Sequence, residues 1–560
     1  MANISRRSFV RGAGAAAAAG VSAAAVSAAV ADEAVVYPEG LQASDFECSP
    51  VELAPVTEFA AEYTYDVVVV GAGTGGVPAA LSAVEEGATA CCLQKESAPI
   101  SQGGSSTGIM LDLSDEQGVK NHMQGFIADC HWRADRGLAQ FYYDHSGETI
   151  RWMEVRSMEA GFPPYAIAET PITFDDGTVC VKRCNRFGPK PYTNNELINA
   201  LAKLAAERGV DFYFETPGVQ LIVDESGACT GVVGKNADGE YIRFNATRGV
   251  VLSTGDYQNN QSLVERYCPD VKGFDRKQYN KTGDGILMSM TVGAGMVPVG
   301  HSHMMHDFDS GTMYNEPFLT VDEDGRRFMN EDAEFEQLNN ELRSHARPGW
   351  YSQIFDANYF DQATEWGGKP TPVEKLEVYM PEVEMDRSVE SGAGVIEYLI
   401  DTHRADTLEE LAEKLGIPGD ALVASVERYN ELAAAGFDED FGKRPCYLKP
   451  IDTPPFYGIH KHIRVSALCA GVTVNENYQV TKVDGTVIPN LWATGFGAGQ
   501  LCGLPDWSMY TGGMSAGHCM TSGRYCGIAA ATGSYEPSHP MTDEDVAAAG
   551  YDMEKVLSKR

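Results

Sequence analysis

Residues 65–76 read YDVVVVGAGTGG, and no other stretch restricts the fold as tightly. Val67–Val70 is an unbroken apolar run, the pattern of a parallel strand covered on both faces. Gly71, Gly73 and Gly76 follow at once with GxGxxG spacing. Val77, Leu81 and Val84 then recur at helical intervals up to Gly87, and a second apolar strand ends at Gln94, 23 positions after Gly71. In that strand–turn–helix–strand setting the glycines predict a dinucleotide-binding turn. The first permits the tight turn, the second admits a pyrophosphate to the backbone, and the third lets helix pack on strand. The helix N-terminus supports the anion.

The rest of the chain extends this pattern. GVDFYFET (209–216) reads as a third strand, and residues 221–246 read as a small β-meander with turns at 225–227 and 238–239. GVVLSTGD (249–256) is another buried strand ending in a glycine turn, and Gly283-Asp284-Gly285 precedes a helical pattern. From residue 298 to 465 the composition turns richer in aromatic, histidine and acidic residues. The buried-strand style returns at VIPNLWATGFGAG (487–499). The expected fold is α/β, with a discontinuous Rossmann-like nucleotide-binding domain (63–297 and 466–535) and an inserted α+β capping domain (298–465). Residues 32–62 read as a linker and 536–560 as an acidic tail. There is no internal repeat.

Residues 1–31 contain Ser5-Arg6-Arg7-x-Phe9, a weakly apolar Ala/Gly run and a small-x-small site at Ala29–Ala31. This reads as a twin-arginine signal peptide, so a periplasmic or other extracytoplasmic location is expected. Such export carries folded proteins, which fits a cofactor inserted beforehand. A net charge of -36 argues against nucleic acid or anionic membrane surfaces as partners. The Ala/Gly/Ser run is too polar for stable membrane insertion. The 13 cysteines form no zinc pattern, and there is no Cys-x-x-Cys-His haem motif.

The segments VVVVGAGTGG, LQKES…SQGGSS, VVLSTGD, TGDGI, DGRRFMNE, PPFYGI, VIPNLWATG and YTGGMSAGHCMTSGRYCG, in this order, resemble the flavoprotein subunits of the fumarate reductase and succinate dehydrogenase family. The likeness covers nearly all of 62–535 and is closest to soluble FAD-dependent reductases of unsaturated acids and enones. It implies FAD. By that resemblance Gly71, Gly73 and Gly76 hold the pyrophosphate. Gln94, where the family has Glu, and Lys95 face the adenosine ribose. Gly104, Ser105 and Ser106 line the flavin, while Ser253, Gly255 and Asp284 contact the nucleotide half. Gly512, Gly513 and Ser515 start a helix beside the isoalloxazine. Members with covalent flavin carry a histidine before the glycine–serine segment. PISQGG has none, so non-covalent FAD is expected.

The substrate residues depart from the family. By count, its carboxylate-binding arginines fall on Phe335 and Tyr510, and a histidine on Ser466 or Ala467. Burying a dicarboxylate without cationic partners costs several kcal/mol, so fumarate is not the expected substrate. Tyr314, Phe335, Trp507 and Tyr510 suggest an aromatic pocket with features similar to 3-ketosteroid dehydrogenases. Tyr510 is the first candidate for carbonyl donor or acid, with Tyr314 and His303 as further catalytic candidates. His301, His303 and His306 face substrate or serve the hinge, or else bind metal; no supporting carboxylate–histidine motif occurs, and no metal is expected. His460, His462 and Arg464 are further possible substrate contacts, and Arg326 and Arg327 read as structural.

The expected activity is reduction of an activated C=C, of enone or acrylate type and bulky or aromatic. Electrons come from an external donor such as a cytochrome or quinol-linked protein. The alternatives are a ketosteroid-type dehydrogenase acting on CH–CH bonds and a non-catalytic flavin electron relay.

Overall fold

A computed structural model describes residues 37–187, 194–305, 313, 316–333, 335–385, 401–503 and 506–552. The signal segment, His306 and Tyr314 lie outside them, as does the side chain of Phe335.

The glycine-turn strand stands at the centre of an eight-stranded sheet. Its main path uses β1 (Ala61–Val70), β2 (Ala90–Leu93), β3 (Val210–Tyr213), β4 (Tyr241–Leu252), β5 (Gln479–Thr481) and β6 (Val487–Ala493), in the order β5-β6-β4-β1-β2-β3. The β6–β4, β4–β1, β1–β2 and β2–β3 pairings are parallel, and only β5 runs against its neighbour. Val67–Val70 pair with Ala90–Leu93 on one side and with Gly249–Leu252 on the other, which explains their lack of polar alternation. The expected meander forms from Gly218–Val223 and Cys229–Lys235, which pair antiparallel and join the long β4. Chain order jumps across the sheet, so β6 returns from late sequence to lie beside β4. The fold is α/β, with a Rossmann-like domain assembled from separated segments.

Four helices position the site: α1 (Gly76–Glu85), α2 (Glu116–Asp129), α3 (Arg136–Glu159) and α4 (Met514–Thr532). In α4 all but two of the 19 residues are buried. Its glycines permit this. A Cβ on Gly517 would lie 2.2 Å from the Thr107 carbonyl oxygen, one on Gly523 2.1 Å from that of Gly75, and one on Gly527 2.1 Å from that of Ala79. A stripe of small residues therefore sets α4 directly on α1 and on the strand Ser106–Ile109. That strand belongs to a three-stranded antiparallel sheet with Pro164–Thr173 and Val179–Phe187, which the sequence pattern did not reveal.

A second sheet of four antiparallel strands runs Leu319–Val321, Trp350–Phe355, Phe456–His462 and Asp401–Ala405. Leu411, Leu415, Leu422 and Val426, from helices Leu408–Leu415 and Gly419–Ala435, pack on it in a core separate from the main one. Arg327, one of the two arginines read as structural, pairs with Glu331 and Asp438 at 2.8 Å each in this region.

Both flanking segments pack on the main body. Residues 37–60 are not a free linker. Asp45 is fully buried against Arg266 (2.8 Å), and Gln220 Nε2 donates to the carbonyls of Glu52 and Ala54. The acidic tail also docks: Met541 and Val546 enter the main core, and Asp543 binds Arg151 (2.9 Å) and Arg183 (2.8 Å). In both segments, buried or half-buried carboxylates meet specific arginines, which a charge count alone does not reveal.

Candidate functional site

A trough opens at the carboxyl ends of the parallel strands, where ligands gather in open α/β sheets. One part is lined by Gly71, Gly73, Gln94, Lys95, Ser253 and Asp284. The adjoining part shares Gly73, Ser253 and Lys281 and continues past Gly255, Gln102 and Ser515. These are the cofactor residues that the fold brings together.

The glycine turn is built by contact with main chain. Gly71 has φ +103°, and a Cβ there would lie 2.3 Å from the Ser253 carbonyl oxygen. A Cβ on Gly76 would lie 1.7 Å from the Gly71 carbonyl oxygen. No other residue fits either place, so Gly76 works by close packing and does not line the trough. Lys95 Nζ donates to Asp284 Oδ2 and to Thr282 Oγ1, both at 2.9 Å. That pair fixes one wall of the trough.

Other expected contacts lie elsewhere. Gly104 is exposed and outside the lining, while its neighbour Gly103 is within it. Ser106 is fully buried, and its hydroxyl points at Met520 Sδ (3.2 Å) on α4. Strand alternation turns it away from the trough. Ser105 stays close to the start of α4, because a Cβ on Gly513 would lie 3.1 Å from its Oγ. Gly513 has φ +82° and caps α4, while Gly512 accepts a hydrogen bond from Thr107 Oγ1 (2.6 Å) through its carbonyl. Neither glycine lines the trough. Their role is to aim the N-terminus of α4 so that Ser515, Ala516 and Cys519 do.

Sequence reasoning missed Lys281, Asp256 and Lys277. Lys281 lines both parts of the trough, and Asp256 and Lys277 line the second. Burial pushes the Asp256 carboxyl up to about 6, against the opposing pull of Lys281, and burial lowers Lys281 itself. Asp256 directly follows the STGD glycine turn, the one signal that could have marked it.

Of the catalytic candidates, Tyr510 and His303 do not line the trough. Tyr510 turns toward α2. A Cβ on Gly125 would lie 2.2 Å from its hydroxyl oxygen, and its ring lies 4.9 Å from that of His122. Burial raises its phenol pKa, aided by Cys180 and Asp129. The missing side chain at Gly125 opens the space that the ring fills. His301 is buried, bonded to Tyr257 (2.5 Å) and to the Val297 carbonyl (2.8 Å). Burial lowers its pKa to about 4. His303 is fully buried beside Asp506 (2.8 Å) and Arg343 (2.5 Å). Histidines inside an apolar setting need partners, and these two find theirs within the protein. His462 stacks on Trp350 at 3.7 Å and lies 3.0 Å from Asp275.

Arg464 differs from all of these. It is 7% exposed, and its Nε and Nη2 find no hydrogen-bond acceptor among the described residues. A buried guanidinium without an acceptor is costly. It stands two residues before Ser466, which lines the trough.

A family profile described as FAD binding domain matches residues 66–504. The chain is 26% identical over 519 residues to the vinyl phenol reductase of Lactiplantibacillus plantarum, covering 85% of this chain and 98% of that one. Among solved structures, the open conformation of a flavocytochrome c3 fumarate reductase superposes with a TM-score of 0.66 at 23% identity. The match covers 84% of this chain and 79% of the other. A 3-ketosteroid Δ1-dehydrogenase from Sterolibacterium denitrificans matches in fold with a TM-score of 0.59 at 19% identity, over 84% of this chain and all of the other. The glycine cradle, the trough and the α4 N-terminus fit the group that this profile names.

Proposed function

Because the chain belongs to the FAD binding domain family and is an FAD-dependent oxidoreductase acting on CH–CH groups, we propose that it reduces an activated C=C bond conjugated to a carbonyl or carboxylate. The substrate is bulky or aromatic rather than a small dicarboxylate. The observation that carries this reading is the cationic lining of the trough. It has Lys95, Lys277 and Lys281 but no arginine among the described residues, and Arg464, with two guanidinium nitrogens unpartnered among the described residues, stands two residues before the lining residue Ser466. One such group serves one anionic or carbonyl end. A dicarboxylate asks for two.

FAD, bound without a covalent link, supplies the hydride chemistry. The chain's own residues bind and orient. Gly71 and Gly73 bring main chain to the pyrophosphate, and the N-terminus of α1 faces that charge. Lys281, which lines both parts of the trough, would offer a positive charge to the bound cofactor. The α4 start at Ser515 and Ala516 presents main-chain N–H groups toward negative charge at the trough floor. Arg464 holds the substrate's carbonyl or carboxylate end.

The twin-arginine segment supports export, with electrons delivered by a cytochrome or quinol-linked donor. Replacing Arg6 and Arg7 with lysine should trap the protein in the cytoplasm on fractionation.

The test of the activity is reoxidation of the dithionite-reduced, FAD-loaded protein by a panel of aromatic acrylates, enones, steroids and fumarate. An aromatic acrylate or enone should reoxidise it fastest, and Arg464→Met should raise KM for that compound. Fumarate as the fastest acceptor would overturn the substrate class. Reoxidation by none of them would point to an electron relay.

A further inference from the structure

Around the thiol of Cys268 the structure gathers more acceptors than one proton can serve. Asp270 Oδ1 lies 3.6 Å from Cys268 Sγ, the His301 carbonyl oxygen 3.5 Å and His303 Nδ1 3.5 Å. His303 Nδ1 is also 3.3 Å from the His301 carbonyl oxygen. Cys268 and His303 are fully buried.

We propose that Cys268 Sγ, His303 Nδ1, Asp270 Oδ1 and the main-chain oxygen of His301 form a zinc site. The distances support it directly. Zinc binds sulfur at about 2.3 Å and nitrogen or oxygen at about 2.0–2.2 Å, so neighbouring ligands in a tetrahedron stand about 3.4–3.6 Å apart. The four measured separations, 3.3 to 3.6 Å, have that size. The thiol, carboxylate and imidazole atoms also lie within 4.8 Å of one another. One thiolate and one imidazole favour zinc over magnesium or calcium.

The surroundings fit a divalent ion. His303 Nε2 lies 2.8 Å from Asp506 Oδ1, a buried carboxylate oxygen that accepts no hydrogen bond among the described residues and has Arg343 Nη2 at 3.6 Å. Metal-bound histidines present their far nitrogen to such a carboxylate. Asn339 Nδ2 holds the other Asp506 oxygen at 3.2 Å. Arg343 Nε lies 3.3 Å from Asp270 Oδ2, the oxygen turned away from the sulfur. With Cys268 as thiolate, three negative charges face Arg343 and, near the sulfur, Arg276, and a divalent ion offsets the remaining negative charge. The ion enters from the Asp270 side, which is 43% exposed. On binding, the thiol proton passes to solvent. His303 Nε2 then carries its hydrogen toward Asp506, and Arg343 moves from its 2.5 Å approach to pair with the two carboxylates.

The site is structural, with no open position for substrate. It ties the turn 268–270 to the strand His303–Met304, and Met304 lines the trough.

The test uses the full-length FAD-loaded protein, dialysed against zinc and then against metal-free buffer. Elemental analysis should find about one zinc per chain, and zinc-edge X-ray absorption should show one sulfur at about 2.3 Å with nitrogen and oxygen at about 2.0–2.2 Å. Cys268→Ser and His303→Ala should lose the zinc, while Cys446→Ser, at an exposed cysteine elsewhere, should keep it. Wild-type protein without zinc, or with zinc lacking a sulfur neighbour, would overturn the proposal. So would undiminished zinc in Cys268→Ser. The absorption arm needs only the wild type, so it decides even if a variant fails to fold.

Discussion

Two glycine turns start two helices at this site, and they differ in what constrains them. In the turn at 71–76, main chain crowds the first and third glycines, with would-be Cβ contacts of 2.3 and 1.7 Å. In the turn at 512–513, only Gly513 is constrained, through φ +82° and the nearby Thr107 hydroxyl. Gly512 is exposed, and a Cβ there would meet nothing within 4 Å. The first turn is fixed by local sterics. The second is fixed by what packs around it, and its neighbour Tyr510 goes where the packing leaves space.

The sharpest way to break this comparison is a matched pair of substitutions. Gly76→Ala should cost at least the ~3 kcal/mol upper end of overpacking and yield protein without bound flavin. Gly512→Ala should keep both its flavin absorbance and its melting temperature. Equal losses in the two would end the distinction.

Lys281→Met comes next. It removes a buried cation from the trough and leaves Asp256 without its opposing charge. FAD affinity should fall at least tenfold, about 1.4 kcal/mol, as read by equilibrium dialysis.

Smaller effects are expected at the second turn. Gly125→Ala, which drives a Cβ into the Tyr510 hydroxyl, should cost about 1–2 kcal/mol. Tyr510→Ala in the same chain should recover most of it. Tyr510→Phe alone should leave turnover near wild type. A loss beyond about tenfold, roughly 1.4 kcal/mol, would bring the phenol back into the reaction.

A pH slope is also expected in the FAD-free protein. The folded pKa of Asp256, about 6, exceeds the ordinary 3.8, so the folded state holds the extra proton between those values. Stability should therefore fall as pH rises from 3.8 through about 6 and level off above. Asp256→Asn should remove this slope in thermal melts. Lys281→Met should extend it to higher pH, because Lys281 holds that pKa down.

Much of the trough was legible in the chain. Gly71, Gly73, Gln94, Lys95, Ser253, Gly255, Asp284 and Ser515 all stand in its walls, since each belongs to a turn or strand end whose geometry is local. Lys281 and Asp256 were not read because a buried charge carries no periodic mark. Ser106 was misplaced by one step of strand alternation. The directions of His303 and Tyr510 were not legible because the direction of a side chain depends on distant partners, Asp506 and Arg343 for one and Gly125 for the other.

By itself, then, the sequence determined the glycine-built nucleotide turn, the buried parallel strands and the α/β class. All three follow from steric limits and hydrophobic patterns that act over a few residues. The tertiary structure alone decided the docking of the acidic tail, the burial of the Arg464 guanidinium and the meeting of Cys268 with His303. Those depend on segments far apart in the chain. Burial fixes their partners, because a buried charge or polar group without one is costly.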